Sequence, residues 1–163
     1  MEKENSKSAL VQIQETSAAG FVLHESRLCA DIAEEERALV SSLSGKKGTY
    51  YFDPNTMTPR YAGIMVRLEE KNYLDLAAET IRDDSKKYPR TTPLGVFREE
   101  PFSFDEEAIE AILKRFSEDS QYTDLRRCIA SNQALHLYSA EHLDPAQAEY
   151  LCEWDEVGRK ENQ

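Results

Sequence analysis

Five segments of the chain repeat apolar residues at the 3.6-residue period of an amphipathic helix. The clearest repeat lies in "NYLDLAAETIRDDSKKYP", where Leu74, Ile81 and Tyr88 share one face and Pro89 ends the run. The predicted helices span residues 26–45, 58–68, 72–88, 103–121 and 144–157.

Capping residues mark the ends of several of these helices. Thr58 and Asp144 can each accept a hydrogen bond from a first-turn N–H group, and a proline follows both of them. Ser103 and Glu106 form an S-x-x-E capping box. Gly45 provides a stop for the first helix, because glycine adopts the left-handed conformation without steric cost.

Alternation of apolar and polar residues at a period of two predicts several short strands. The stretches "SALVQIQ" (8–14) and "FVLH" (21–24) predict a first pair, and "GTYYF" (48–52) is a further β-prone run. "LGVF" (94–97) predicts one short strand. In "LRRCIASNQALHL" (125–137), two alternating runs flank the polar turn "SNQA", which predicts a β-hairpin.

These elements together predict an α+β fold. Four to five amphipathic helices would pack on small antiparallel sheets or hairpins. Residues 88–103 contain three prolines, so this stretch is the best candidate for a linker.

A chain of 163 residues is the size of one ordinary domain. We expect a single compact domain over residues 8–157, with flexible tails at 1–7 and 158–163. The alternative is two subdomains, 8–88 and 94–157, joined by the proline-containing segment.

A winged-helix-like C-terminal half is an alternative architecture, and the chain would then be a transcriptional or regulatory protein. From residue 73 the predicted order is helix, short strand, helix, hairpin and helix, and a winged helix would need a further helix at 117–125. Residues 98–120 carry 8 acidic and 3 basic side chains, so the region that would read DNA is acidic. A winged helix here would therefore be expected to bind protein and not DNA.

Charge narrows the classes of partner. The formal net charge is −11, from 31 acidic and 20 basic residues, and such a field repels phosphate backbones. Nucleic-acid binding is thus disfavoured, whereas another protein with a basic face is a compatible partner. The sequence contains no apolar run of the roughly 20 residues that a membrane span needs.

The three cysteines, Cys29, Cys128 and Cys152, form no CxxC motif and predict no disulfide framework. The first residues, "MEKENSKSAL", have mixed charges and no apolar core, unlike a secretory signal. Both observations favour a cytoplasmic location and a reducing compartment.

Motifs of catalysis and cofactor binding are missing from the sequence. It contains no G-x-S-x-G, no G-x-x-x-x-G-K, no G-x-G-x-x-G and no H-E-x-x-H. We therefore assign no catalytic, cofactor-binding or metal-binding residue. A small enzyme or metal-binding protein is kept as an alternative, because Cys128 and His136 would share a face of the hairpin and His142 lies just beyond it.

The function predicted from the sequence is a non-catalytic protein-interaction or accessory module. Its partner would be another protein, and a homodimer is an alternative. Arg126 and Arg127 on the hairpin and Tyr150 and Trp154 on the last helix are the predicted partner-binding residues, because arginine and aromatic side chains are enriched in interfaces.

Overall fold

The computed structural model describes residues 8–159 and divides the chain between Asn72 and Tyr73 into two compact units. Each unit contains a three-stranded antiparallel sheet and amphipathic helices. The predicted α+β class is therefore confirmed. The predicted tail 1–7 lies outside the described residues, as do the last four residues of the chain.

In the first unit, two helices accompany a sheet of strand order β1-β3-β2. Its elements are α1 (Ala9–Ala18), β1 (Leu23–His24), β2 (Ser41–Gly45), β3 (Gly48–Phe52) and α2 (Pro59–Glu69). The core of the unit combines residues of β3 and α2 with two from the connecting loops, namely Val22, Tyr50, Phe52, Met57, Ala62 and Val66.

The predicted strand at 8–14 is wrong, because these residues lie in helix α1. Ser8 caps this helix by accepting a hydrogen bond from the Val11 N–H group at 3.1 Å. The buried residues are Ala9, Ile13 and Ser17, which follow a helical spacing of four. Alternation of Val11 and Ile13 was misleading, since Val11 lies on the exposed side.

The predicted helix at 26–45 is also wrong. Short 3-10 turns occupy Glu25–Arg27 and Glu34–Leu39, and neither buries any residue. Strand β2 then pairs with β3 through a tight turn at Lys46 and Lys47. Cross-strand pairing thus prevails over the helical periodicity of this segment.

Within residues 73–159, the second unit has three α-helices and a sheet of strand order β4-β6-β5. Its elements are α3 (Tyr73–Lys87), β4 (Thr92–Pro93), α4 (Glu106–Glu118), β5 (Leu125–Ile129), β6 (Leu135–Ser139) and α5 (Pro145–Glu153). A short π-helical segment, Trp154–Gly158, continues α5. The four predicted helices from α2 to α5 and the predicted hairpin β5–β6 are confirmed.

Other local predictions in the second unit are corrected. Asp105, and not Ser103, caps α4 by accepting from the Ala108 N–H group, because Ser103 has a φ of +51° and lies outside the helix. The "LGVF" stretch forms a 3-10 helix, Leu94–Arg98, and the strand is the preceding pair Thr92–Pro93.

The segment 117–125 does not contain the third helix that a winged helix needs. It holds the end of α4, a three-residue 3-10 turn, Ser120–Tyr122, and the first residue of β5. The winged-helix architecture is therefore not confirmed. The proline-containing segment 88–103 lies within the second unit, and the prediction of one folding domain over 8–157 stays a prediction.

Every helix within residues 8–159 is too short or too polar to cross a bilayer.

Candidate functional site

The hairpin β5–β6 and the end of α5 meet around a buried histidine. His136, on the central strand β6, is fully buried. Its Nδ1 lies 2.8 Å from the Thr91 hydroxyl oxygen, and its Nε2 lies 2.6 Å from Oε2 of Glu156. Glu156 belongs to the π-helical segment, and such insertions recur at functional sites.

Carboxylates from the same helix hold the tip of the hairpin. Glu153 accepts hydrogen bonds from the backbone N–H group and the hydroxyl group of Ser131, at 2.8 and 2.6 Å. The second oxygen of Glu156 accepts from the Asn132 amide at 3.1 Å. The turn, the buried histidine and the helix end therefore form one connected network.

Asp155 completes a group of possible metal ligands with His136 and Glu156. One ligand atom from each of the three residues lies within 4.8 Å of the others. Asp155 also forms an ion pair with Arg159 one turn further along. One imidazole nitrogen and two carboxylates can hold a divalent metal ion.

The sequence-based metal hypothesis named a different set of ligands. Cys128 and His136 do pair directly across the hairpin. The Cys128 thiol, however, lies 3.9 Å from the Ala148 carbonyl oxygen, and burial, with the adjacent Cys152 thiol, raises its pKa to about 12. His142 does not join the group around His136.

The predicted residues Arg126 and Arg127 lie on β5, which is an edge strand of its sheet. Both side chains are exposed, and Ile129 beyond them is 64% exposed. The strand pairs with β6 on one side. Two cations thus lie on an edge strand of an acidic chain, and the guanidinium group of Arg127 donates to the Leu113 carbonyl oxygen at 3.5 Å.

The direction of the backbone groups in β5 follows from its hydrogen bonds to β6. The Ala140 N–H group donates to the Asp124 carbonyl oxygen, and the Ala130 N–H group donates to the Ala134 carbonyl oxygen. Hydrogen-bonded pairs alternate along an antiparallel ladder. The N–H and C=O groups of Arg127, and of the residues two positions away on each side, therefore point out of the sheet edge.

The predicted residues Tyr150 and Trp154 lie one helical turn apart and are 66% and 40% exposed. Ala148 and Cys152 of the same helix are buried against the sheet, so the two aromatic rings lie on the opposite side of α5. Trp154 covers Gly158, where an added Cβ would lie 2.6 Å from the ring.

A family model described as the YdhW C-terminal domain matches residues 71–160, which is more than half of the chain. The chain belongs to this family. A curated relative, the uncharacterized protein YdhW of Escherichia coli (strain K12), is 28% identical over 123 residues. These residues are 76% of this chain and 57% of that protein, so the chain spans a little more than half of its relative. No solved structure matches the chain.

The YdhW C-terminal domain coincides closely with the second unit, which begins at Tyr73. The His136 network, the edge strand β5 and the exposed aromatic residues of α5 all belong to it. Asp155 and Glu156 were not predicted from the sequence, because two acidic residues in the last turn of a helix are typical of a solvent-exposed surface.

A buried polar network of the YdhW C-terminal domain was also missed. Arg82 of α3 donates to both oxygens of Asp124, which also accepts from the Ser139 hydroxyl group at 2.7 Å. The Ser85 hydroxyl group in turn accepts from the Ser139 N–H group. A signal was present, since Ser85 occupies the same helical face as the apolar residue Ile81.

The first unit offers a less specific candidate. An open cavity of about 660 Å³ is lined by both apolar and charged side chains. Its charged residues are Glu25, Asp31 and Arg37. Glu25 is already engaged, because it accepts a hydrogen bond from the Thr49 N–H group.

Proposed function

We propose that the chain is an accessory protein-interaction module. In this proposal, the YdhW C-terminal domain adds an extended acidic segment of a partner protein as a fourth strand beside β5. The observation that carries the proposal is the outer edge of β5, where the backbone N–H and C=O groups of Arg127 and of the residues two positions away face outward, beside two exposed arginine side chains. Edge strands of this kind are templates for strand addition.

Charge favours an acidic partner. Arg126 and Arg127 are consecutive, so their side chains lie on opposite faces of the sheet. An added strand with two consecutive acidic residues would place one carboxylate next to each guanidinium group. Opposite charges across neighbouring strands are stabilising.

Repulsion between arginine side chains disfavours a homodimer through this edge. Two copies of β5 that paired in an antiparallel arrangement centred on Arg127 would place the two Arg127 side chains directly opposite each other. Like charges directly opposite each other destabilise a sheet. A segment of different sequence is the better fit.

Tyr150 and Trp154 support a second contact, on the outer side of α5. Exposed aromatic residues one turn apart on a helix are suited to anchoring a partner. The free thiols of Cys29, Cys128 and Cys152 support the prediction of a cytoplasmic, reducing location.

The direct test is a binding assay with defined peptides. A fluorescent peptide of alternating threonine and valine around a central Glu-Glu pair is titrated with the full chain, and its anisotropy is measured. We expect binding that weakens as salt is added, because the charges are exposed. A Lys-Lys version should not bind, and N-methylation of alternate peptide bonds should abolish binding by removing the backbone donors.

Charge-reversal variants localise the binding. Arg126→Glu with Arg127→Glu should reverse the preference between the two peptides and leave the melting temperature nearly unchanged. Lys86→Glu with Lys87→Glu makes the same change in charge at the end of α3 and is the matched control. Equal effects of both double variants, or a peptide that binds equally well after N-methylation, would refute strand addition at β5.

A further inference from the structure

We infer that His136, Asp155 and Glu156 form a binding site for a divalent metal ion of the zinc type. This inference concerns a different part of the YdhW C-terminal domain from the β5 edge and does not depend on strand addition. It rests on three side chains whose ligand atoms converge within 4.8 Å. Imidazole nitrogen and carboxylate oxygen are both ordinary zinc ligands.

A neighbouring hydroxyl group holds the imidazole ring of His136 in an orientation suited to metal binding. His136 is fully buried, and its Nδ1 faces the Thr91 hydroxyl oxygen at 2.8 Å. In the metal-bound state, a hydrogen bond from Nδ1–H to that oxygen would leave the Nε2 lone pair for the metal ion. Without metal, Nε2 and Oε2 of Glu156 lie 2.6 Å apart and share a proton, which the metal ion would displace. Metal-ligating histidines are commonly oriented in this way by a partner on the other ring nitrogen.

The carboxylates come from the π-helical segment that follows α5. Each carboxylate has one partner at the surface. Asp155 pairs with Arg159, whose side chain is 55% exposed, and Glu156 accepts from the exposed Asn132. Both partners can turn to solvent when a cation neutralises the carboxylates.

The distance between His136 and Glu156 requires only a small adjustment. Nε2 of His136 and Oε2 of Glu156 are 2.6 Å apart. Zinc–ligand distances of about 2.0–2.2 Å require them to separate by less than 1 Å when a metal ion enters between them. Three protein ligands would leave a fourth tetrahedral position for water or a small ligand.

Zinc titration of the metal-stripped full chain tests the site, with Cys29→Ser in every sample to remove the exposed thiol. Calorimetry gives the stoichiometry, and the fluorescence of Trp154, the sole tryptophan and a neighbour of Asp155, reports the location. We expect one Zn²⁺ per chain, a change in tryptophan fluorescence and a higher melting temperature, since a ligand of the folded state stabilises it.

Two variants and one control decide the outcome. Asp155→Asn and Glu156→Gln should each weaken zinc binding at least about tenfold. Glu149→Gln removes an exposed carboxylate of α5 that lies outside the group and its hydrogen-bond network, and it should bind like the parent. Circular dichroism identifies any variant that fails to fold, and Asp155, which is partly exposed, is the safer change. Substoichiometric binding by the parent, or full binding by a folded Asp155→Asn variant, would overturn the inference.

Discussion

Glu70 follows the last residue of α2, and its carboxylate lies against the turn between β2 and β3. It accepts hydrogen bonds from the N–H groups of Lys46 and Lys47 and from the Tyr50 hydroxyl group, at 2.8 to 3.1 Å. Burial raises the pKa of Glu70, but these three donors outweigh burial, so its pKa lies below the ordinary 4.5. Gly45 is required beside it, because an added Cβ would lie 2.5 Å from the carboxylate oxygen.

The ionised form of Glu70 should stabilise the first unit. A lowered folded-state pKa means that the stabilisation is complete above the unfolded-state pKa and is lost as the pH falls through the folded-state pKa. Glu70→Gln should lower the free energy of unfolding by about 1–3 kcal/mol at neutral pH. It should also make this free energy less dependent on pH in the acidic range. Urea unfolding at a series of pH values measures both effects. Glu69→Gln is the control and should lower the free energy of unfolding by less than about 1 kcal/mol. The assignment would be contradicted if the free energy of unfolding of Glu70→Gln fell with decreasing pH as steeply as that of the parent.

At the scale of elements, the hairpin β5–β6 depends on a three-residue turn with a strained position. Gln133 has a φ of +73°, and its N–H group donates to the Ala130 carbonyl oxygen. Left-handed backbone conformations cost most side chains roughly 1–2 kcal/mol and cost glycine almost nothing. The turn therefore stores strain that glycine would relieve.

Gln133→Gly should raise the free energy of unfolding of the YdhW C-terminal domain by about 0.5–1 kcal/mol. The same substitution at Gln147, inside α5, should lower it by about 1 kcal/mol, because glycine disfavours regular helix. Chemical denaturation followed by the fluorescence of Trp154 compares the two variants. A loss of stability in Gln133→Gly would show that the turn is held by contacts of the glutamine side chain.

Elements with both a period and a terminal signal were predictable. Helix α5 combines the Asp144 cap, Pro145 and an apolar face, and the hairpin combines alternation with a polar turn. Strand β2 was not predictable, because its sequence, "SSLSG", carries only one large apolar residue and acquires its structure by pairing with β3. Of the group around His136, only the histidine was identified from the sequence, because no local pattern links β6 to carboxylates 20 residues further along.

At the scale of the whole molecule, the two units each have their own sheet, and the family match follows the second unit. Domains with their own core can fold alone. The core around the hairpin and α5 consists of Cys128, Ala130, Tyr138, Leu143, Ala148 and Cys152.

We therefore expect residues 71–159 alone to fold and to unfold in one cooperative thermal transition. Circular dichroism and Trp154 fluorescence should report the same midpoint, since both probes would follow one unit. Leu137→Asp places a charge at a position that is 2% exposed and should abolish the transition. A fragment without a cooperative transition would favour the sequence-based prediction of one domain over 8–157.

The contact of Arg82 with Asp124 also constrains the order in which mutations can accumulate during evolution. Loss of Arg82 first would leave a carboxylate that is 9% exposed without its cation, which is strongly destabilising. Loss of the Asp124 charge first leaves an arginine side chain that is 35% exposed and can turn its charge to water. Lineages that have lost this pair should thus have changed position 124 before position 82.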